Sequence, residues 1–206
     1  DDPMEVASAT AFRFRPKVFY DWLRPLMKAA TAASPNPAHT ALAVLEQAGI
    51  VKAVITQNID GLHQRAGSSR VIELHGNMQV FYCRMCGAIA PDAAATIMAI
   101  LNGSIPRCPK CGGVVRPDIT LYEEALPMEA WQAAETEIHT CDLLLVAGSS
   151  LEVFPAASLP YDALENGAKV MLINYSPTPL DRRADLVLNM DVSLALPQIS
   201  ELVGGI

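Results

Sequence analysis

The sequence predicts an α/β protein: a doubly wound parallel sheet with a small cysteine-rich module inserted into it and a helical segment ahead of it. Three observations point there. Short β-rich runs that are continuously apolar, instead of alternating, recur along the chain, as they do in strands covered on both faces. Helix-patterned stretches separate several of those runs, which is the alternation that builds a parallel sheet. Two C-x-x-C pairs then interrupt the alternation once.

Each element follows in turn. Residues 1–36, including "RPKVFYDWLRPL", read as a helical part. In "NPAHTALAVLEQAG", Pro37 opens a helix, Ala38, Leu42 and Leu45 recur at helical spacing and Gly49 stops it. "VKAVIT" (51–56) and "RVIEL" (70–74) are the first two strands. The cysteine module spans 79–116. After it come the helix "PMEAWQAAETEI", the strand "DLLLVAG" (142–148), the helix "SLPYDALENG" and the strands "AKVMLIN" (168–174) and "ADLVLN" (184–189). Residues 37–78 and 117–206 thus form one Rossmann-like domain around the module, with 1–36 as a helical extension.

Composition narrows the function. The 206 residues are 51% hydrophobic, enough to bury a full core. A formal charge of -7 disfavours a phosphate-tracking surface, so no direct nucleic-acid contact is expected. No apolar run reaches bilayer length, and "DDPMEVASAT" lacks the layout of a signal peptide. A cytoplasmic protein with no membrane contact, and a monomer, is the expectation.

Cys83 and Cys86 lie in "YCRMCG" and Cys108 and Cys111 in "RCPKCGG", each pair followed by glycine. Two residues between ligands allow a knuckle turn that aims both thiolates at one tetrahedral zinc, and the glycine supplies the left-handed backbone. The 21 residues between the pairs slightly exceed the usual gap of about 15–20, which means a longer loop. Two disulfides, or unrelated core cysteines, are the alternative, disfavoured by a reducing compartment and by the duplicated knuckles. With no histidine or carboxylate in either pair, one closed, structural zinc ribbon is predicted. Cys141, at the start of a strand, is expected as a small buried residue.

Ligands of such a sheet bind at the carboxyl ends of its strands. That rule gathers Gln57, Asn58 and Asp60 after the first strand, His75 after the second, Gly148, Ser149 and Ser150 after the third and Asn174 after the fourth. "AGSSLEVFP" could cradle a phosphate with backbone N–H groups where a helix starts, or be an ordinary turn and cap. No G-x-G-x-x-G follows a strand, which argues against an ordinary dinucleotide dehydrogenase.

Taken in order, "TQNIDGLHQRAG", "ELHG", the paired knuckles, "RPDI", "GSSLEVFPA" and "IN" resemble the sirtuins, NAD-dependent protein lysine deacylases, over nearly the whole chain from Pro37 onward. The resemblance implies NAD and one structural zinc as cofactors, acyl-lysine proteins or peptides as partners, and transfer of the acyl group to ADP-ribose with release of nicotinamide. It implies that His75 is the general base, since a neutral imidazole accepts a proton near neutral pH. Asn58 would orient the ribose and a water, Gln57 would bond the ribose hydroxyls, and Ile59 with Asp60 would line the nicotinamide pocket. Gly148, Ser149 and Ser150 would contact the ADP-ribose part, Asn174 the adenosine ribose, and Asp191 with Val192 the adenine. The peptide would pair as a strand between residues 118–122, with Ile119, Leu121 and Tyr122, and residues 151–154, with Glu152 and Val153. ADP-ribosyl transfer to protein from the same NAD site, and a non-catalytic zinc-bearing interaction module, are the alternatives.

His63 matches a family position but is expected to brace its loop, His39 to pack or cap in the first turn of its helix, and His139 has no evident partner. The family's opening Gly-Ala-Gly-x-Ser loop has no counterpart here, and the expectation is that residues precede Asp1 in the complete protein. In "LYEEAL", Glu123 stands where the family typically has glycine. In "FYDWLRPL", Tyr20 is followed three residues on by Leu23 and not by the arginine that, with tyrosine, marks the succinyl-preferring branch. Arg24 is one residue too late, a rotation of about 100° on a helix. Acetyl or longer apolar acyl groups are therefore expected over succinyl.

Overall fold

A computed structural model of the chain describes residues 2–204. It opens with helices α1 (Pro3–Val6), α2 (Ala9–Phe14), α3 (Pro16–Ala32) and α4 (Pro37–Gln47), followed by strand β1 (Val54–Thr56), helix α5 (Leu62–Ala66) and strand β2 (Val71–Glu73). The cysteine module follows as β3 (Gly76–Cys83), α6 (Ala93–Leu101) and β4 (Val115–Ile119). Then come α7 (Met128–Thr140), β5 (Leu143–Ala147), a 3-10 turn (Ala156–Ser158), α8 (Leu159–Glu165), β6 (Lys169–Ile173), β7 (Leu186–Leu188) and α9 (Val192–Gly204). No helix among the described residues is long and apolar enough to cross a membrane. Two compact units emerge: one of residues up to 33, 58–61 and 75–128, the other of residues 34–57, 62–74 and from 129 onward.

The first unit is organised by α3. Phe19, Leu23 and Met27 recur every fourth residue, and with Tyr20 they form its buried stripe. They pack with Phe12 of α2 and with Met78, Phe81, Ile100, Val115 and Ile119 of the module. Phe12 and Phe19 meet edge to face at 5.2 Å, a favoured aromatic geometry. Helix α2 starts because the Ser8 hydroxyl accepts from Ala11 N–H at 3.0 Å, satisfying an orphan donor. Strands β3 and β4 pair antiparallel, with a register shift between Asn77 and Phe81.

The second unit holds the parallel strands. Within it β1 pairs with β2, Val54 opposite Val71, and β5, β6 and β7 form a separate parallel ladder in that order, with Leu143 opposite Lys169 and Met171 opposite Leu186. Parallel pairing is as the sequence predicts; among the described residues it is divided between these two ladders. Val170 and Leu172 of β6, Ala134 and Ile138 of α7, Ala163 of α8 and Ile72 of β2 share one core. Each fully buried valine, leucine or isoleucine among them contributes about 1.5–3 kcal/mol, and each alanine less. Helix α4 has Pro37 in its first turn, and Asn36 and His39 cap it reciprocally, so His39 has the capping role expected of it.

Candidate active site

The four cysteine sulfurs lie within 4.8 Å of one another. Cys83 and Cys111 are 3.5 Å apart and Cys86 and Cys108 3.7 Å, with no disulfide formed. Tetrahedral zinc with bonds of about 2.3 Å separates its sulfurs by about 3.8 Å, so the donor set fits one such ion. Each knuckle closes on its glycine: Gly87 N–H donates to the Cys83 carbonyl at 2.8 Å and Gly112 N–H to that of Cys108 at 2.9 Å. A Cβ on Gly113 would stand 3.0 Å from the Cys83 sulfur, so this glycine leaves room for the thiolates. The N–H groups of Cys86 and Met85 hold the Cys83 thiol down, to about 7, against the opposing effect of burial. The long gap between the pairs is occupied by α6, which Asp92 caps.

In the first unit, Asn58, Ile59 and Asp60 form the turn after β1, with Asn58 exposed and the other two half-buried. Met78 N–H donates to the Ile59 carbonyl at 3.0 Å, and Gly61 at φ +70° packs where a Cβ would fall 2.3 Å from the Gln79 amide nitrogen. These contacts fasten the turn to β3. Half-buried His75 sits between β2 and β3, and its carbonyl accepts from Thr120 N–H at 2.9 Å. The next residue, Gly76, has φ +71°, and a Cβ there would lie 2.0 Å from the Asp118 carbonyl oxygen. Backbone presses on backbone at that point, so glycine alone permits it, and His75 is held beside residues 118–120.

Along that segment Ile119 and Leu121 are buried in the unit's core, at 4% and 3% exposure, while Asp118 and Tyr122 face solvent. Ile119 and Leu121 can therefore offer a ligand only backbone, and Asp118 and Tyr122 are the exposed side chains of the segment. A cavity of about 390 Å³ opens here, lined among others by Tyr82, Arg84, Asp118, Thr120 and Glu124.

In the second unit, Gln57 follows β1, and the other candidate residues lie at the carboxyl ends of β5, β6 and β7. Gly148 has φ +62° and donates its N–H to the Ile173 carbonyl at 2.9 Å. Ser149 Oγ accepts from Leu151 N–H at 3.3 Å, and Ser150, Glu152 and Val153 are exposed. No helix begins at the serines, contrary to one reading of "AGSSLEVFP": Leu151 takes φ +57° and buries its side chain, and helical structure resumes only at Ala156. The Asn174 side chain donates to the Ser176 carbonyl at 2.8 Å, and Asn189 donates to the Asn174 carbonyl at 3.3 Å. Asp191 accepts from Ser193 N–H and Oγ, both at 2.7 Å, which caps α9 next to Val192. The same carboxylate accepts from the exposed Tyr175 hydroxyl at 3.3 Å, and these bonds, Ser193 foremost, lower its pKa.

Three features escaped the sequence reading. Arg116, in the quoted "RPDI" motif, is 1% exposed and paired bidentately with Glu124 at 2.7 and 2.9 Å. Glu123 binds Thr10, 113 residues away. Tyr175 stands beside Asn174 at the end of β6. A signal existed for the first alone, an arginine directly after "GGVV" in an apolar run.

The chain is similar to known proteins over almost its whole length. The profile of the Sir2 family matches residues 1–155. The NAD-dependent protein deacylase 2 of Archaeoglobus fulgidus is 46% identical over 203 residues, 98% of this chain and 79% of that protein. A solved structure of Sir2Af2 bound to a myristoylated histone peptide superposes with a TM-score of 0.89 at 44% identity, covering 99% of this chain and 86% of the other. A structure of Sir2 bound to an acetylated peptide gives a TM-score of 0.91 at 39% identity, covering 97% and 83%. Identity at this level along almost its full length means that the chain belongs to the Sir2 family.

Proposed function

We propose that the protein is an NAD-dependent protein lysine deacylase, which transfers the acyl group of an acyl-lysine to ADP-ribose and releases nicotinamide. The observation that carries the reading is the fixed position of His75 beside residues 118–120, set by the Gly76–Asp118 approach, in a chain 46% identical to a named deacylase. Bound NAD supplies an electrophilic ribose carbon and a leaving nicotinamide. His75 accepts the proton of a ribose hydroxyl at an imidazole nitrogen, and Asn58 orients the ribose and a water. Gln57 bonds the ribose hydroxyls, and Ile59 with Asp60 shields the nicotinamide end from competing water. Gly148, Ser149, Ser150 and Asn174 hold the ADP-ribose part, with Asp191 and Val192 at the adenine. Loops of this kind suit the task, because Gly148, at φ +62°, turns the chain at the carboxyl end of β5, where sheets of this class bind their ligands.

The substrates are acyl-lysine peptides, as the acetylated and myristoylated peptides bound by similar proteins suggest. The peptide lies along residues 118–122, with the Tyr122 side chain, and along Glu152 and Val153. The zinc is structural, since all four of its donors are cysteines. A charge of -7 disfavours a phosphate-tracking surface, and we read the protein as a cytoplasmic monomer. The test is incubation with NAD and an acetyl-lysine peptide, products read by mass. NAD-dependent loss of acetyl with nicotinamide release in wild type, abolished in His75→Ala, is expected. ADP-ribosylated protein without loss of acetyl would overturn the assignment.

A further inference from the structure

Two non-glycine residues have a left-handed backbone among the described residues, Glu123 at φ +76° and Leu151 at φ +57°. L-residues adopt this conformation at a cost and keep it only where their surroundings hold it. Leu151 is held by burial of its side chain in the core of its unit. Glu123 is exposed, so burial does not hold it. It lies inside the turn that Glu124 N–H closes on the Leu121 carbonyl at 3.0 Å, and its own carboxylate ties that turn to α2: one oxygen, Oε2, accepts from Thr10 N–H at 3.0 Å and from Thr10 Oγ1 at 2.8 Å.

The neighbouring residue continues the same seam. Tyr122 N–H donates to the Ala7 carbonyl and Ala9 N–H to the Tyr122 carbonyl, both at 3.1 Å, in a parallel bridge of Ser8 with Tyr122. Four hydrogen bonds therefore join residues 122–123 to residues 7–10. Two of the four exist only because position 123 carries a carboxylate. Glycine would adopt φ +76° more easily and could make neither.

We propose that Glu123 is a positioning residue of the acyl-peptide site: its carboxylate latches residues 122–123 to the start of α2 and so fixes Tyr122 for the incoming peptide. This rests on the deacylase reading, and it names a determinant of peptide affinity that acts through Tyr122 without touching the reacting atoms. Losing the latch should weaken peptide binding and leave NAD binding and turnover at saturation alone.

The test is steady-state deacetylation of an acetyl-lysine peptide by wild type, Glu123→Gln, Glu123→Gly, Thr10→Ala and the Thr10→Ala/Glu123→Gly double variant, with melting temperatures alongside. Glu123→Gly should raise the peptide KM on the order of tenfold, with kcat and the NAD KM within about twofold of wild type. Glu123→Gln keeps an acceptor oxygen and should restore most of the affinity, Thr10→Ala should show a smaller effect, and the double variant should match Glu123→Gly. Wild-type peptide KM in Glu123→Gly would overturn the latch, since backbone freedom alone would then suffice. So would an equal loss in NAD KM and kcat, or full additivity of the two sites. Absence of turnover in wild type would instead overturn the deacylase reading beneath it, a result distinct from an active wild type with an unaffected glycine variant.

Discussion

Replacing Glu124 by alanine tests the physical reading of the region most directly. Arg116 is 1% exposed; its guanidinium donates to both Glu124 oxygens, to the Ile119 carbonyl and, at 3.3 Å, to the Pro117 carbonyl, and lies 5.4 Å from the Phe12 ring. Glu124 also accepts from Leu121 N–H at 3.0 Å, so one carboxylate both neutralises a buried cation and closes the turn after residue 121. Removing one partner of a buried pair strands the other charge and costs about 3–5 kcal/mol. Because Glu124 keeps 26% exposure, water can partly replace it, and we take the lower end, about 3 kcal/mol. In a protein of this size that lowers Tm by about 6–12 °C. Burial opposes the charged form of Glu124, but the Arg116 hydrogen bonds, the Leu121 N–H and the Arg116 charge outweigh it, and the pKa lies below its ordinary value. A carboxylate with a lowered folded pKa stabilises at neutral pH, and that contribution is lost as pH falls from the ordinary carboxylate value through the folded one. Differential scanning calorimetry should therefore show the gap between wild type and Glu124→Ala narrowing in acid. The paired replacement Arg116→Met/Glu124→Leu, which buries no charge, should melt above Glu124→Ala. A Glu124→Ala protein within about 2 °C of wild type, or a paired variant less stable than the single one, would refute the argument.

Three further outcomes are expected. Gly76→Ala must move the chain, because the added methyl would sit 2.0 Å from the Asp118 carbonyl oxygen; deacetylation should fall on the order of a hundredfold as His75 shifts, and near wild-type kcat/KM would disprove the role given to this glycine. Elemental analysis should find one zinc per chain, and a chelator or Cys86→Ser should lower Tm; a chain free of metal and indifferent to chelation would end the zinc reading. Acetyl peptides should turn over faster than succinyl peptides: the Tyr20 hydroxyl is buried and donates to the Val115 carbonyl, while Arg24 binds Asp21 at 3.0 Å and the Ile100 carbonyl at 2.9 Å. Competition between the two peptides, with succinyl preferred, would contradict that assignment.

The features legible in the sequence are those that neighbours along the chain decide. Strand and helix types followed from periodicity, the bounds of the helix after residue 36 from Pro37 and Gly49, and the zinc ribbon from two short spacings whose geometry a knuckle turn sets by itself. The strand ends on which His75 and the other proposed site residues lie were legible too, in apolar runs and in the resemblance of ordered motifs. Tertiary structure decided what depends on distant partners. The sequence suggested a helix start at Ser149–Ser150, yet burial of Leu151 turned the backbone left-handed there. The apolar run before Arg116 hints at its burial, but only the fold supplies what meets its guanidinium: Glu124, the Pro117 and Ile119 carbonyls and the Phe12 and Tyr82 rings. Nothing local says that Glu123 tolerates a glycine's backbone, because the partner that its carboxylate binds, Thr10, lies 113 residues away. By itself the sequence determined the family, the α/β class and a cysteine cluster that fits one zinc; packing determined which charges are buried and which strained residues are held, since both depend on contacts that exist only once the chain has closed on itself.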